Sequence, residues 1–211
     1  MEQHVHILAG LLPVRDQGRR PSCLVFASSA AHELKVAQTE HLSVEYLYYH
    51  AVARTPGSNP AGGTSIAAVG AALSSEGQPV EDVWPYTLVQ TTPWIPPTGV
   101  EPTLKVSLKQ NKLGFEEIVA ILNGNCPVVL GLVITDAFFR PDDAGRVIFR
   151  TQDAERCGHA VLAVGYRVSE AGGQEALLIR NSWGDGWGIG GYAWLPRDYV
   201  ERQLHETAVL T

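Results

Sequence analysis

The sequence has few cysteines, few basic residues and no long apolar segment, and each shortage excludes a class of protein. Three cysteines among 211 residues, Cys23, Cys126 and Cys157, are too few for a disulfide framework, which favours a reducing compartment such as the cytoplasm. With 16 Lys and Arg against 22 Asp and Glu, the net charge of -6 argues against binding to nucleic acid or to an anionic membrane. No apolar run approaches the roughly 20 residues of a membrane span, and no secretion signal is recognisable at the N-terminus.

The first half of the chain has the apolar spacing of α-helices. Across residues 22–38, apolar side chains recur every three or four positions, which predicts a helix with Ser22 as its N-cap. A second helix is predicted to begin at Ser43, and a third at Thr64 or Ser65.

The second half has the pattern of antiparallel β structure. A Pro- and Thr-rich crossover at 90–102 and a short helix at 115–122 lead into apolar, β-branched runs, which turn signals at 142–145 and 170–173 separate. These runs predict strands at residues 128–134, 146–149, 160–166, 176–179 and 192–195.

Helices followed by strands indicate an α+β fold, which we expect to form one domain over residues 1–211. The helical lobe is expected at about residues 10–105 and the β lobe at about residues 106–211, with termini that can cross between the lobes. A cleft is expected where the two lobes meet.

Cys23 and Gln17 are the candidate chemical groups of the helical lobe. Cys23 lies at the predicted start of the first helix, where unpaired backbone N–H groups and the helix dipole favour a thiolate. Taken alone, it fits a small buried apolar residue better. The Gln17 side-chain amide and the Cys23 N–H can converge as two donors, which is what a tetrahedral oxyanion requires.

His159 and Asn181 are the candidates of the β lobe. His159 stands at the entrance to an apolar strand, either as a satisfied polar residue or as a base aimed into the cleft. Asn181 ends the next apolar strand, so it approaches His159 if the two strands pair. Trp183 is then expected to shield their contact from water.

In chain order, these four residues could serve as an oxyanion donor, a nucleophile, a base and an orienting amide. With this set the sequence resembles the papain-like cysteine peptidases. The most specific motif is Asn-Ser-Trp-Gly-Asp-Gly-Trp-Gly at 181–188, which is similar to the family's Asn-Ser-Trp-Gly block. Asn181 lies slightly further from Cys23 than the roughly 130–150 residues typical of the family. An insertion at 170–173 would explain the difference.

The resemblance implies a papain-like two-lobe fold with a barrel-like β lobe, and an endopeptidase that acts on polypeptides. Cys23 and His159 would rest as a thiolate–imidazolium pair, and the reaction would pass through an acyl-enzyme thioester. Gln17 with the Cys23 N–H would hold the oxyanion, and Asn181 would fix the tautomer of His159.

The resemblance also implies a set of substrate-binding residues. Gly62 and Gly63 would pair with the extended substrate backbone, and the absence of a side chain at Gly131 suggests room for a bulky apolar group. The pocket for the second residue before the cut would be lined by Thr64, Ser65, Gly131 and Cys157, and Trp183 is the remaining candidate.

The sequence departs from the family pattern around the nucleophile. Arg20 stands where the family has a disulfide cysteine, Pro21 where it has glycine, and Leu24 where it has tryptophan. These changes concern substrate preference and rate more than the type of reaction. The segment before Cys23 has no room for the usual inhibitory prosegment, so we expect control by a regulatory or inhibitory protein partner, or by localisation, unless the chain is a trimmed form.

No cofactor and no metal are expected. The glycines of 186–191 fit the spacing of a dinucleotide-binding loop, but residues 192–195 read as a strand where that motif needs a helix. His32, His41 and His50 are nine residues apart, a poor fit to one helix face.

Two alternatives stay open from the sequence. A Cys–His acyl transferase or deamidase, of the transglutaminase-like kind, shares the nucleophile chemistry. The second alternative is a catalytically silent peptide-binding module with the same fold, because Pro21 and Leu24 depart from the family pattern.

Overall fold

The computed structural model describes residues 2–169 and 175–211, so the turn expected at 170–173 lies outside the described residues. The helices are α1 Cys23–Lys35, α2 Val44–Arg54, α3 Ile66–Ser75, α4 Phe115–Asn123 and α5 Arg197–Gln203. The strands are β1 Glu2–His6, β2 Leu108–Asn111, β3 Val128–Thr135, β4 Glu155–Ser169, β5 Ala176–Arg180, β6 Tyr192–Pro196 and β7 Leu204–Leu210. None of the helices in these two ranges is long and apolar enough to span a bilayer.

The predicted helix starts are confirmed, although one of the three caps differs. The Ser43 hydroxyl accepts the Tyr46 N–H at 3.1 Å and so caps α2. Ser65 caps α3 in the same way. Ser22 precedes α1, but its hydroxyl lies 2.8 Å from the Tyr86 hydroxyl and caps no backbone amide. Ser22 therefore occupies the N-cap position, as predicted, but its side chain does not cap the helix, because the Tyr86 hydroxyl competes for its oxygen.

An antiparallel sheet in the order β2-β7-β3-β4-β5-β6 forms the second lobe, with β1 pairing to the end of β4. Four of the five predicted strands are confirmed as β3, β4, β5 and β6. The prediction of a fifth strand at 146–149 is wrong. This segment pairs with β6 through a single isolated bridge, between Arg146 and Trp194, which is too little to form a strand. The backbone of Arg146 is used within a turn instead, where it donates to the Asp142 carboxylate and accepts the Asp142 N–H.

The resemblance implied that the β lobe closes into a barrel, and this expectation is wrong. The path of paired strands ends at β2 and at β6, and no pairing joins these two ends within the described residues. The outer edge of β6 is met instead by the segment at Arg146, and β2 has only four residues. The sheet is therefore open.

The two faces of the sheet bury different helices, and this arrangement forms the cleft. Val129 and Leu162 face the cluster that includes α1, α2 and α3. Leu130 and Val161, one position along the same strands, face the cluster that includes α4 and α5. Because α1 packs directly on β4, the first residue of α1 lies beside that strand.

Candidate active site

A cleft of about 300 Å³ lies between the start of α1 and the sheet. Both Cys23, from the helical side, and His159, from the sheet side, line it. The remaining lining residues are Pro21, Leu24, Gly62, Gly63, Thr64, Gly131, Leu132, Val133, Gly158, Ala160, His205 and Glu206.

Cys23 is the first residue of α1 and is half-buried. Burial raises the pKa of its thiol, although backbone hydrogen bonds from Ala160 and Leu24 oppose that rise. The helix start therefore supplies one of these donors, Leu24, because the first amides of a helix have no partner within it, and β4 supplies the other. Desolvation nevertheless outweighs them, so the net effect of the surroundings is to raise the pKa of this thiol.

The pairing of β4 with β5 brings His159 to Asn181. Nε2 of His159 donates to Oδ1 of Asn181 at 2.7 Å, and the Ser182 N–H donates to the same oxygen at 2.8 Å. A backbone N–H can only donate, so the Ser182 bond fixes the amide with its oxygen toward the ring. The ring therefore carries its proton on Nε2, which leaves Nδ1 as the basic nitrogen.

Aromatic rings enclose the His159 side chain. Trp183 lies over it with ring centroids 4.7 Å apart, as expected of a shield, and Phe138 meets it edge-on at 5.6 Å. Trp187 stacks on Phe138 and donates to its carbonyl. This burial lowers the pKa of His159 to about 4, although the hydrogen bond to Asn181 opposes the shift. Phe138 was not identified from the sequence, because it lies in a four-residue 3-10 helix after β3 that carries no motif of its own.

Gln17 is buried and bound to both sides of the cleft. Its Nε2 donates to the Arg20 carbonyl at 2.8 Å, and its Oε1 accepts the Ser182 hydroxyl at 2.7 Å. The Gln17 backbone N–H also donates to the Ser182 carbonyl. These bonds hold the side-chain amide in the loop before Cys23 and leave one Nε2 hydrogen for another acceptor.

Four of the seven predicted substrate-binding residues line the cleft: Gly62, Gly63, Thr64 and Gly131. Gly63 has a φ of +77°, and a Cβ there would lie 3.2 Å from the Pro21 carbonyl oxygen, so the position requires glycine. Ser65, Cys157 and Trp183 do not line it.

The apolar pocket expected at Gly131 requires a correction. A Cβ on Gly131 would lie 2.6 Å from Cγ of Glu206, so the side chain of Glu206 already occupies the space beside this glycine. The wall is therefore acidic, and His205 also lines it. Neither residue was identified because both belong to β7, which the sequence pattern did not predict.

A metal site would need a cluster of ligating side chains, and a dinucleotide site would need a helix after residues 186–191. Among residues 2–169 and 175–211, no group of three or more His, Cys, Asp or Glu side chains is arranged to hold a metal. The glycines of 186–191 lead into the strand β6, as predicted, and not into a helix.

Comparisons with known proteins give consistent results. The model of the papain family of cysteine proteases matches residues 6–211. Cathepsin K of Gallus gallus is 30% identical over 193 residues, which cover 88% of this chain and 55% of that protein. The chain spans about half the length of the curated relatives it matches.

Two solved structures share the fold. Xylellain, a cysteine protease from Xylella fastidiosa, has a TM-score of 0.80 at 24% identity, covering 99% of this chain and 85% of that one. The Carica candamarcensis cysteine protease CMS1MS2, solved with E-64, has a TM-score of 0.75 at 23% identity, covering 99% of this chain and 97% of that one.

Proposed function

Because the chain belongs to the papain family of cysteine proteases, we propose that it hydrolyses peptide bonds as a thiol endopeptidase. The observation that supports this most strongly is the hydrogen bond from His159 to Asn181, beside a cleft that Cys23 also lines. It leaves Nδ1, the nitrogen that a nucleophile would need, as the basic position of the ring.

The reaction begins with transfer of the Cys23 proton to Nδ1 of His159. The sulfur then attacks the peptide carbonyl carbon, and the carbonyl electrons move onto its oxygen. The Cys23 N–H and the remaining Nε2 hydrogen of Gln17 donate to that oxyanion. When the tetrahedral intermediate collapses, His159 gives its proton to the leaving amine and a thioester remains. Water, deprotonated by His159, attacks the thioester carbon; the sulfur then leaves, and His159 returns the proton to it, which restores Cys23.

Burial opposes either charge alone, since it raises the pKa of Cys23 and lowers that of His159. Proton transfer between them creates both charges together, and their attraction in a poorly solvated site offsets the cost of desolvation. Asn181 stabilises the imidazolium by accepting its Nε2 proton. We therefore propose that the ion pair forms as a unit and that neither group ionises alone at neutral pH.

The substrate is an extended polypeptide. Gly62 and Gly63 line one wall of the cleft without side chains, which allows a substrate backbone to approach closely. Glu206 on the opposite wall favours a basic over an apolar side chain beside Gly131. The three cysteines are free thiols, which supports action in a reducing compartment such as the cytoplasm.

Labelling with an epoxide inhibitor of the E-64 type tests this proposal. We expect one adduct, on Cys23, identified by peptide mass spectrometry, with Cys126 and Cys157 as internal controls. Cys23→Ala should abolish both labelling and cleavage of a protein substrate while retaining the wild-type circular dichroism spectrum. Cleavage that survives in Cys23→Ala would contradict the assignment. Deamidated or cross-linked products without new termini would identify an acyl transferase or deamidase instead.

A further inference from the structure

A buried ion pair ties the loop before Cys23 to helix α2. The Arg20 guanidinium and the Glu45 carboxylate meet through two bonds, of 2.5 Å and 2.7 Å. Their side chains are only 7% and 2% exposed. Arg20 also donates to the Thr87 carbonyl at 2.8 Å, and the Trp94 Nε1 donates to Glu45 at 2.6 Å. Bidentate geometry of this kind fixes orientation as well as distance.

Aromatic rings surround the same guanidinium. Its central carbon lies 4.6 Å from the ring centre of Tyr86, 5.4 Å from that of Tyr48 and 5.9 Å from that of Trp94. Cation–π contacts favour the charge at this position and restrict the movement of the side chain. The position of Arg20 is therefore determined from several directions.

The backbone of Arg20 contacts the proposed catalytic groups. Its carbonyl accepts the Gln17 Nε2 hydrogen and the Ser22 N–H, each at 2.8 Å. Tyr86, one of the rings beside the guanidinium, donates to the Gln17 carbonyl at 2.8 Å. A shift of Arg20 would therefore move the Gln17 amide and the residue that precedes Cys23.

We propose that Arg20, anchored by Glu45, is a positioning residue that holds the Gln17 amide where it donates to the oxyanion. This inference rests on the proposed function. Small displacements of such a donor lower the rate of the chemical step more than they weaken substrate binding. The connection is non-covalent, so it does not depend on an oxidising environment.

Two variants test the inference with a peptide substrate. Arg20→Lys keeps the charge but loses the two-bond geometry. The double variant Arg20→Gln/Glu45→Gln removes both charges, so that no lone charge is buried. For each we expect kcat to fall by about 10- to 100-fold with KM within about threefold of wild type. Arg54→Gln breaks the 2.5 Å pair with Glu76 near the other end of α2, and should leave kcat unchanged.

The decisive measurement repeats these substitutions in the Gln17→Ala background. If Arg20 acts through Gln17, they should lower kcat there by less than about threefold. An equal fall in both backgrounds, or a rise in KM at constant kcat, would overturn the inference. If the double variant fails to fold, Arg20→Lys provides the same comparison. Wild-type protein that cleaves no peptide would overturn the proposed function as well, whereas additive effects in an active enzyme would overturn only this inference.

Discussion

The two sides of the cleft are held by different kinds of interaction. On the sheet side, the backbone register of two neighbouring strands places His159 near Asn181, and one 2.7 Å hydrogen bond completes the arrangement. On the helical side, Gln17 lies in a loop, and Cys23 is the first residue of the helix α1 that follows it. That loop is held largely by side chains from distant parts of the chain, Glu45 among them, with a backbone bond from Gln17 to Ser182 in addition.

This difference has a consequence for how each side responds to substitution. A β-ladder distributes its restraint over many backbone bonds, so changing one side chain there removes a chemical group and leaves the frame in place. A side-chain network has no such redundancy, and loss of one member moves the others. We therefore expect substitutions on the sheet side to act on the chemistry directly, and those on the helical side to act on geometry as well.

The largest effect is expected on the sheet side, from His159→Ala. Removing the base should lower kcat/KM by about 10²- to 10⁴-fold, because no other group would accept the Cys23 proton. Steady-state cleavage of a fluorogenic peptide measures the loss, and the rate of alkylation of Cys23 by iodoacetamide should fall in parallel. Activity within a few-fold of wild type would show that the base is another residue. Trp183→Phe, which retains an aromatic ring over His159, is the matched control for altered packing.

On the helical side, Gln17→Ala should lower kcat by about 10²- to 10³-fold, the usual cost of losing one oxyanion donor. Alkylation of Cys23 forms no oxyanion, so its rate should stay within a few-fold of wild type. The pair of measurements distinguishes loss of the donor from collapse of the loop, since collapse would slow both reactions. Gln17→Glu offers a nearly isosteric comparison in which the donor is replaced by an acceptor.

The difference between backbone pairing on the sheet side and side-chain contacts on the helical side also explains how much of the site could be predicted from the sequence. Apolar, β-branched runs predicted β4 and β5, and their pairing alone brought His159 toward Asn181. The helical spacing likewise predicted the start of α1 at Cys23. The pairing of Arg20 with Glu45 could not be predicted, because two side chains 25 residues apart leave no periodic signal.

Glu206 was missed for a related reason. β7 follows directly on the short helix α5, and the turn signals that bound the other strands are absent there. The same dependence on local pattern explains the incorrect strand at 146–149. Its apolar residues fit a strand, but hydrogen bonds to Asp142 keep Arg146 in a turn.

Acidification should lower the free energy of unfolding through two buried histidines, one on the helical side of the cleft and one on the sheet side. Burial lowers the pKa of His159 to about 4, and it also lowers the pKa of His32, whose Nε2 is buried without a partner. An unfolded histidine titrates near pH 6.5, so below that pH the unfolded chain binds protons that the folded chain excludes. The free energy of unfolding should therefore fall as the pH is lowered from about 6.5 toward 4.

Urea unfolding at pH 7 and pH 5 measures this contribution. For His159 it should amount to about 2 kcal/mol between the two pH values, since each unit of pKa shift corresponds to about 1.4 kcal/mol. His159→Gln should flatten the pH dependence by that amount, and His32→Gln should also flatten it. A variant with the same pH dependence as wild type would show that its histidine does not account for the difference in bound protons between the folded and unfolded chains.

The smallest effect concerns the two walls of the substrate cleft. The wall at Gly62 and Gly63 has no charged side chain, whereas the opposite wall has Glu206, half-buried and hydrogen-bonded to Gln110 at 3.0 Å. Peptide libraries should therefore show Lys or Arg preferred over Asp or Glu at the substrate position beside Gly131. Because a partly exposed ion pair contributes about 0.2–1 kcal/mol, Glu206→Gln should reduce this preference by at most about fivefold.

Glu201→Gln is the matched control for the Glu206 prediction, because Glu201 pairs with Arg197 and does not line the cleft. It should leave the substrate profile unchanged. Raising the salt concentration should reduce the preference of the wild type toward that of Glu206→Gln, since screening weakens a half-exposed pair. A preference for apolar residues that Glu206→Gln leaves unchanged would mean that the carboxylate turns away from the substrate, and that the uncharged wall alone determines selectivity.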